Sequence, residues 1–205
     1  MSNSAKEGII KFKIQLKKAS QIEQKLYLGI EKWRTILYKM NFIGECPTDK
    51  VGFGNISQRI SPQSLNFVIS GTQTGKFPLL DGSQYTKITE CNLEKMFVSA
   101  TGPIAPSSES LTHFAIYNSS PQINTIFHIH HQEFWQFLLE NNFPKTSADI
   151  EYGTLAMAMA TKNCIGNKSA GIFAMEGHQN GIIAYGETPE QAGRIILDIY
   201  KDSKT

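Results

Sequence analysis

Phe127-His128-Ile129-His130 closes an apolar run over residues 123–129. A run this short and this apolar reads as a buried strand. Alternate side chains of a strand share one face. His128 and His130 therefore point the same way, with Cα atoms roughly 6–7 Å apart. Imidazole nitrogens at that spacing can converge on one ion. Two ordinary histidines near a strand end have the same spacing, so the pair reads as a metal site only if ligands arrive from elsewhere in the chain.

The neighbours of this strand are helical. Pro106-Ser107-Ser108-Glu109 is a helix start, with hydroxyl side chains to cap exposed N–H groups, and the helix runs to about residue 118 with Leu111, Phe114 and Ala115 inward. Glu109 in its first turn complements the helix dipole. His113, four residues on, shares that face and reads as a surface or supporting residue. After the histidines, His131-Gln132-Glu133 opens a helix that carries Phe134, Phe137 and Leu138 to the core. Residues 153–163 make a further buried helix, whose methionines are core filler. Residues 169–175 and 182–185 are strands, and the loop Glu176-Gly177-His178-Gln179-Asn180-Gly181 between them can aim His178 at a shared site. Thr188-Pro189-Glu190-Gln191 starts the last helix with a threonine cap, a proline in the first turn and a glutamine placed for a capping box.

Upstream, residues 1–20 form a basic arm expected to be helical, and residues 21–205 a single domain. Ile22, Leu26, Ile30, Trp33, Leu37 and Met40 make one apolar helical stripe. Gly52-Phe53-Gly54-Asn55 has two readings, a tight turn or a close backbone approach to a ligand. Residues 66–70 read as a strand. The loop Gly71-Thr72-Gln73-Thr74-Gly75-Lys76 suggests a P-loop but fails on spacing, because Phe77 stands where Ser or Thr must hold magnesium; a backbone anion site is still open. Strands follow over residues 85–90 and 95–99.

Composition excludes several classes. A formal charge of +2 over 205 residues leaves no basic stripe for nucleic acid. The 3 cysteines, Cys46, Cys91 and Cys164, are scattered and include no CxxC, so neither a disulfide framework nor a thiolate zinc site is expected. No run reaches membrane-spanning length, and the expected compartment is the cytoplasm. A cupin barrel, which also uses HxH, does not fit the long N-terminal helix or the placement of Glu133.

Gly54-Asn55-Ile56-Ser57-x-Arg59, Pro106-Ser107-Ser108-Glu109 with His113 and Tyr117 behind it, His128-x-His130, and Gly177-His178-x-Asn180-Gly181 occur in the order of the class II aldolase/adducin family, and the chain resembles that family over roughly residues 25–200. The resemblance implies a three-layer α/β/α fold around a central, mostly antiparallel sheet. It implies a divalent metal, most often Zn2+, on His128, His130 and His178, with Glu109 as acid/base. It implies that Gly54, Asn55, Ser70, Gly71, Ser107 and Ser108 cradle a substrate phosphate. The expected activity is that of a metal-dependent lyase, an aldolase or dehydratase, acting on a small ketose or ketose phosphate through an enediolate. A sugar-phosphate 4-epimerase or decarboxylase, or a non-catalytic adducin-like binding protein, are the alternatives on this fold. A homo-oligomer, tetrameric in the family, is implied too. Two departures stand out. The chain stops soon after its last helix, where family aldolases carry a tyrosine-bearing tail, and Tyr200 lies inside that helix. Residues 144–147 contain no tyrosine to lend to a neighbouring subunit. The short C-terminus resembles the family's thioribulose-phosphate dehydratases.

Overall fold

A computed structural model of the chain describes residues 8–204. Among the described residues ten strands and five α-helices follow one another: β1 (Lys13–Lys18), α1 (Leu28–Lys39), β2 (Gly44–Glu45), β3 (Gly52–Phe53), β4 (Asn55–Arg59), β5 (Phe67–Ser70), β6 (Tyr85–Asn92), β7 (Phe97–Gly102), α2 (Ser110–Ser119), β8 (Thr125–His130), α3 (Gln132–Glu140), α4 (Leu155–Ile165), β9 (Gly171–Ala174), β10 (Gly181–Gly186) and α5 (Pro189–Asp202). Eight strands form one sheet in the order β1-β7-β6-β5-β4-β8-β10-β9, and β2 pairs with β3 apart from it. The described pairings in the large sheet are antiparallel except β1 with β7. None of the described helices is long and apolar enough to cross a membrane.

Strand β8 is buried along its whole length, because helices cover both faces of the sheet. Phe127 and Ile129 face α1, α3 and α5, packing among Ile30, Leu37, Phe134, Leu138 and Ile196. Ile126 faces α2 and α4, with Leu111, Ile116, Met157 and Ile165. The result is the three-layer α/β/α sandwich expected from the sequence. By the two-residue period of a strand, His128 and His130 lie on the α2/α4 side with Ile126.

Strong local signals survive into the structure. Thr188 caps α5 by accepting a hydrogen bond from the Gln191 amide, and Pro189 is the first helical residue. The capping box is not closed as expected: Gln191 Oε1 accepts instead from the Glu187 amide, at 2.8 Å.

The N-terminal arm differs from expectation. Its first seven residues lie outside the described ones, and Lys13–Lys18 is a strand, not a helix. It runs parallel to β7, with Leu16 opposite Ala100. Ile14 and Leu16 alternate with exposed Lys13, Gln15 and Lys17, a period of two that suits an edge strand. The expected tight turn near Gly52 is two strands, β3 and β4, separated by Gly54. Gly54 has φ +75, and a Cβ there would lie 3.1 Å from the His128 carbonyl oxygen. Both the left-handed conformation and the close approach call for glycine.

Two buried arginines fix loops that border the site. Arg34 on α1 donates to the carbonyls of Thr74 (3.1 Å) and Phe77 (2.8 Å). Its neighbour Glu31 accepts from the Leu80 amide (2.9 Å) and from Tyr85 Oη (2.5 Å). Burial raises the Glu31 pKa and lowers that of Arg34. Arg59 on β4 donates to the carbonyls of Tyr117 (2.5 Å), Ser120 (3.0 Å) and Ile123 (2.6 Å). It thus satisfies carbonyls at the end of α2 that the helix leaves without partners.

Candidate metal centre and anion cleft

The three histidines arrive from two places. β8 supplies His128 and His130. His178 sits in the β9–β10 turn, where its amide donates to the Met175 carbonyl (3.0 Å) and its carbonyl accepts from the Gly181 amide (2.8 Å). Gly177 before it is needed for packing, since a Cβ there would meet the Ile150 carbonyl oxygen at 2.1 Å. β10 pairs antiparallel with β8, and Gly181 opposes His130, which brings the turn over the histidine pair. One donor atom from each of the three rings lies within 4.8 Å of the other two, and all three residues are buried.

The tautomer of His128 is set by its surroundings. His128 Nδ1 lies 3.2 Å from the Ile182 carbonyl, an acceptor only, so Nδ1 carries the proton and Nε2 a lone pair. That Nε2 lies 3.0 Å from His130 Nε2. Two imidazole nitrogens approach this closely either by sharing one proton or by turning both lone pairs to one cation. Such outer contacts commonly orient histidine ligands. Three imidazole nitrogens suit a divalent ion of the zinc type.

Glu109 is the N-cap residue of α2, with φ −91 and ψ 7. It is 2% exposed, and its Oε1 lies 3.5 Å from His178 Nδ1. Ser107 makes the turn before the helix: its Oγ accepts from the Glu109 amide at 3.2 Å, and its carbonyl from Ser110 Oγ at 2.7 Å.

Beneath the site lies a buried polar layer. Ser57 Oγ is 2.7 Å from both His113 Nδ1 and Tyr117 Oη. Desolvation pushes the His113 pKa down to about 3 and that of Tyr117 up. His113 is therefore a neutral buried residue.

A narrow cleft opens beside His128, Glu109 and His178. Gly54, Asn55, Gly71, Ser107 and Ser108 line it. Asn55 owes its place to register, being paired with His128 across β4 and β8, and its buried Oδ1 has no hydrogen-bond partner. Ser70 does not line the cleft; its Oγ accepts from the Ile56 amide at 3.2 Å. The Gly71 amide is likewise engaged, donating to the Gln84 carbonyl at 2.8 Å. Thr72, Thr74 and Tyr152 are among the lining residues that went unassigned in the sequence. Thr72 and Thr74 belong to the rejected P-loop, so a local anion signal was present. Tyr152, whose ring centroid lies 4.7 Å from that of His178, comes from a loop with no signal of its own. A second, broader groove begins on the other side of His178, along Phe53, His130 and His131. The histidines thus stand where a narrow polar cleft meets an open groove.

A mostly antiparallel α/β/α sandwich, with three converging histidines and a buried glutamate at the end of its central strand, defines the class of protein. Comparison with known proteins agrees. Residues 47–199 match the family model "Class II Aldolase and Adducin N-terminal domain", and the chain belongs to that family. Among solved structures it is similar to the L-fuculose-1-phosphate aldolase of Thermus thermophilus, at 17% identity over 89% of this chain and 92% of that one, with a TM-score of 0.65. It is similar to a sugar-phosphate aldolase of Thermotoga maritima, at 14% identity over 88% and 93%, TM-score 0.68. An aldolase II superfamily protein of Pseudomonas syringae matches at 15% identity over 89% and 74%, TM-score 0.59. These likenesses concern the fold. No curated protein sequence matches the chain.

Proposed function

We propose that the protein is a metal-dependent lyase acting on a small ketose phosphate. The observation that carries this reading is the convergence of His128, His130 and His178 within 4.8 Å beside the Glu109 carboxylate. The named aldolases of similar fold add support.

In this reading His128, His130 and His178 hold one divalent cation, most often zinc at such a donor set. When bound, that ion supplies Lewis acidity, drawing charge from the carbonyl and hydroxyl oxygens of a ketose. Glu109 moves the proton. Its position at the cleft wall, 3.5 Å from His178, suits acid/base work beside the histidines. The carboxylate takes a proton as a C–C or C–O bond breaks and returns it to the product. Asn55, Ser107, Ser108 and Thr72 bind the phosphate end of the substrate. Hydroxyls, amides and the N-terminus of α2 serve an anion without a cluster of basic side chains.

The Glu109→Gln variant separates the two roles. We expect it to keep its metal and to lose activity on ketose phosphates by a factor of about 10²–10⁴, the range for removal of a positioned proton carrier. Loss of metal in this variant would make Glu109 a ligand and refute the role assigned to it. Product analysis, by free aldehyde, dehydrated ketose or epimer, tells lyase from epimerase.

A further inference from the structure

The cleft has a wall that the family match over residues 47–199 does not contain. Gly8 lines it. The segment from Gly8 to Phe12 crosses from the Gln73 loop to the Tyr152 loop, on either side of the cleft. At one end Gly8, with φ +76, presses against Gln73: a Cβ there would lie 2.2 Å from Gln73 Nε2. Gln73 Oε1 in turn accepts from the Gly52 amide at 2.8 Å. In the middle the Ile9 amide donates to Tyr152 Oη at 3.4 Å. Lys11 Nζ donates to the Tyr152 carbonyl at 3.1 Å, meets Glu151 Oε2 at 3.2 Å, and stands 4.3 Å above the Tyr152 ring. At the far end Phe12 is 7% exposed in the α2/α4 core, and β1 then runs into the sheet. The strap is thus anchored by buried apolar contact at Phe12 and held over the cleft by weak surface contacts.

We propose that this strap determines specificity, by making the anion cleft a blind pocket. The deduction rests on the function proposed above, in which Asn55, Ser107 and Ser108 receive the phosphate. With the strap in place, the cleft admits at most a ligand whose anionic group is terminal, a phosphomonoester. One that continues beyond the phosphate, such as a diester, meets the strap at Gly8. Removing the strap opens the cleft at its closed end, while the broader groove beyond His178 stays as it is.

The test needs neither metal nor substrate, so it does not depend on the lyase reading, whose failure would appear in metal content. A reporter thiol is placed in the cleft with Ser108→Cys. Its rates of reaction with methyl methanethiosulfonate and with a biphenyl-bearing methanethiosulfonate are read by peptide mass, which separates it from Cys46, Cys91 and Cys164. The reporter is compared in the full chain, in the full chain with Lys11→Glu, and in a chain shortened to begin at Phe12. Hydrogen exchange over residues 8–12 reports whether Lys11→Glu frees the strap, and thermal unfolding reports folding. In the full chain the small reagent should react at least about tenfold faster than the large one, since access then waits on local opening. In both strap variants that ratio should fall to about threefold or less. Equal rates for the two reagents in the full chain would overturn the proposal. So would continued exclusion of the large reagent once the strap is free or absent.

Discussion

His113 should make the fold acid-labile, by an amount that follows from its burial. Its pKa is about 3 in the native protein against 6.5 for an ordinary histidine. Between those values the unfolded chain binds a proton that the native chain refuses. Stability from this residue is therefore present in full above about pH 6.5 and is lost as pH falls from there toward 3. The whole shift corresponds to about 5 kcal/mol, at 1.36 kcal/mol per unit, and the part between pH 7 and pH 5 to about 2 kcal/mol. That is a large fraction of the roughly 5–15 kcal/mol by which domains are stable. The assay is urea unfolding followed by tryptophan fluorescence at pH 7 and pH 5, for wild type and His113→Asn. A chelator in every sample removes metal binding by the other histidines from the slope. The variant loses packing and part of the Ser57–Tyr117 layer, so it should be less stable at pH 7, by about 1–3 kcal/mol. Its pH dependence should be shallower, and the gap to wild type should narrow by about 2 kcal/mol at pH 5. A gap that stays constant would show that folded His113 takes up a proton as readily as the unfolded chain, and would refute the reasoning.

Two other substitutions probe the scaffold that positions the site. Arg34→Met leaves Glu31 buried without its neighbouring cation and frees the Thr74 and Phe77 carbonyls, which should cost about 3–5 kcal/mol in urea unfolding; adding Glu31→Gln should restore part of the loss, and no restoration would argue against the ion pair as the cause. Gly193→Ala places a Cβ 2.1 Å from the Trp33 ring where α5 crosses α1, so it should destabilise by about 1–3 kcal/mol through overpacking and shift the Trp33 emission. An unchanged melting temperature there would mean that the two helices separate freely.

The legible parts of this chain are those whose signals are local. Strand β8 announces itself as an apolar run, and α5 by its threonine and proline. The parts that were not legible depend on distant partners. β1 gains its hydrogen bonds from β7, more than eighty positions away, and its lysines mask the alternation of Ile14 and Leu16. Ser70 carries a residue type suited to an anion site, but strand pairing turns its hydroxyl to the Ile56 amide. Tyr152 reaches His178 only because the loop before α4 folds back across the β9–β10 turn. The three histidines and Glu109 could be named in advance through motif order. Their convergence depends on β10 lying beside β8, which no single motif encodes.

The central claim is that His128, His130 and His178 hold one catalytic metal, and elemental analysis tests it most directly. Purified protein, incubated with zinc and freed of excess, should contain about one ion per chain, and the His178→Ala variant, equally folded by circular dichroism, should contain almost none. A wild-type protein that binds no ion, or a His178→Ala variant that binds it as well as wild type, would contradict the account.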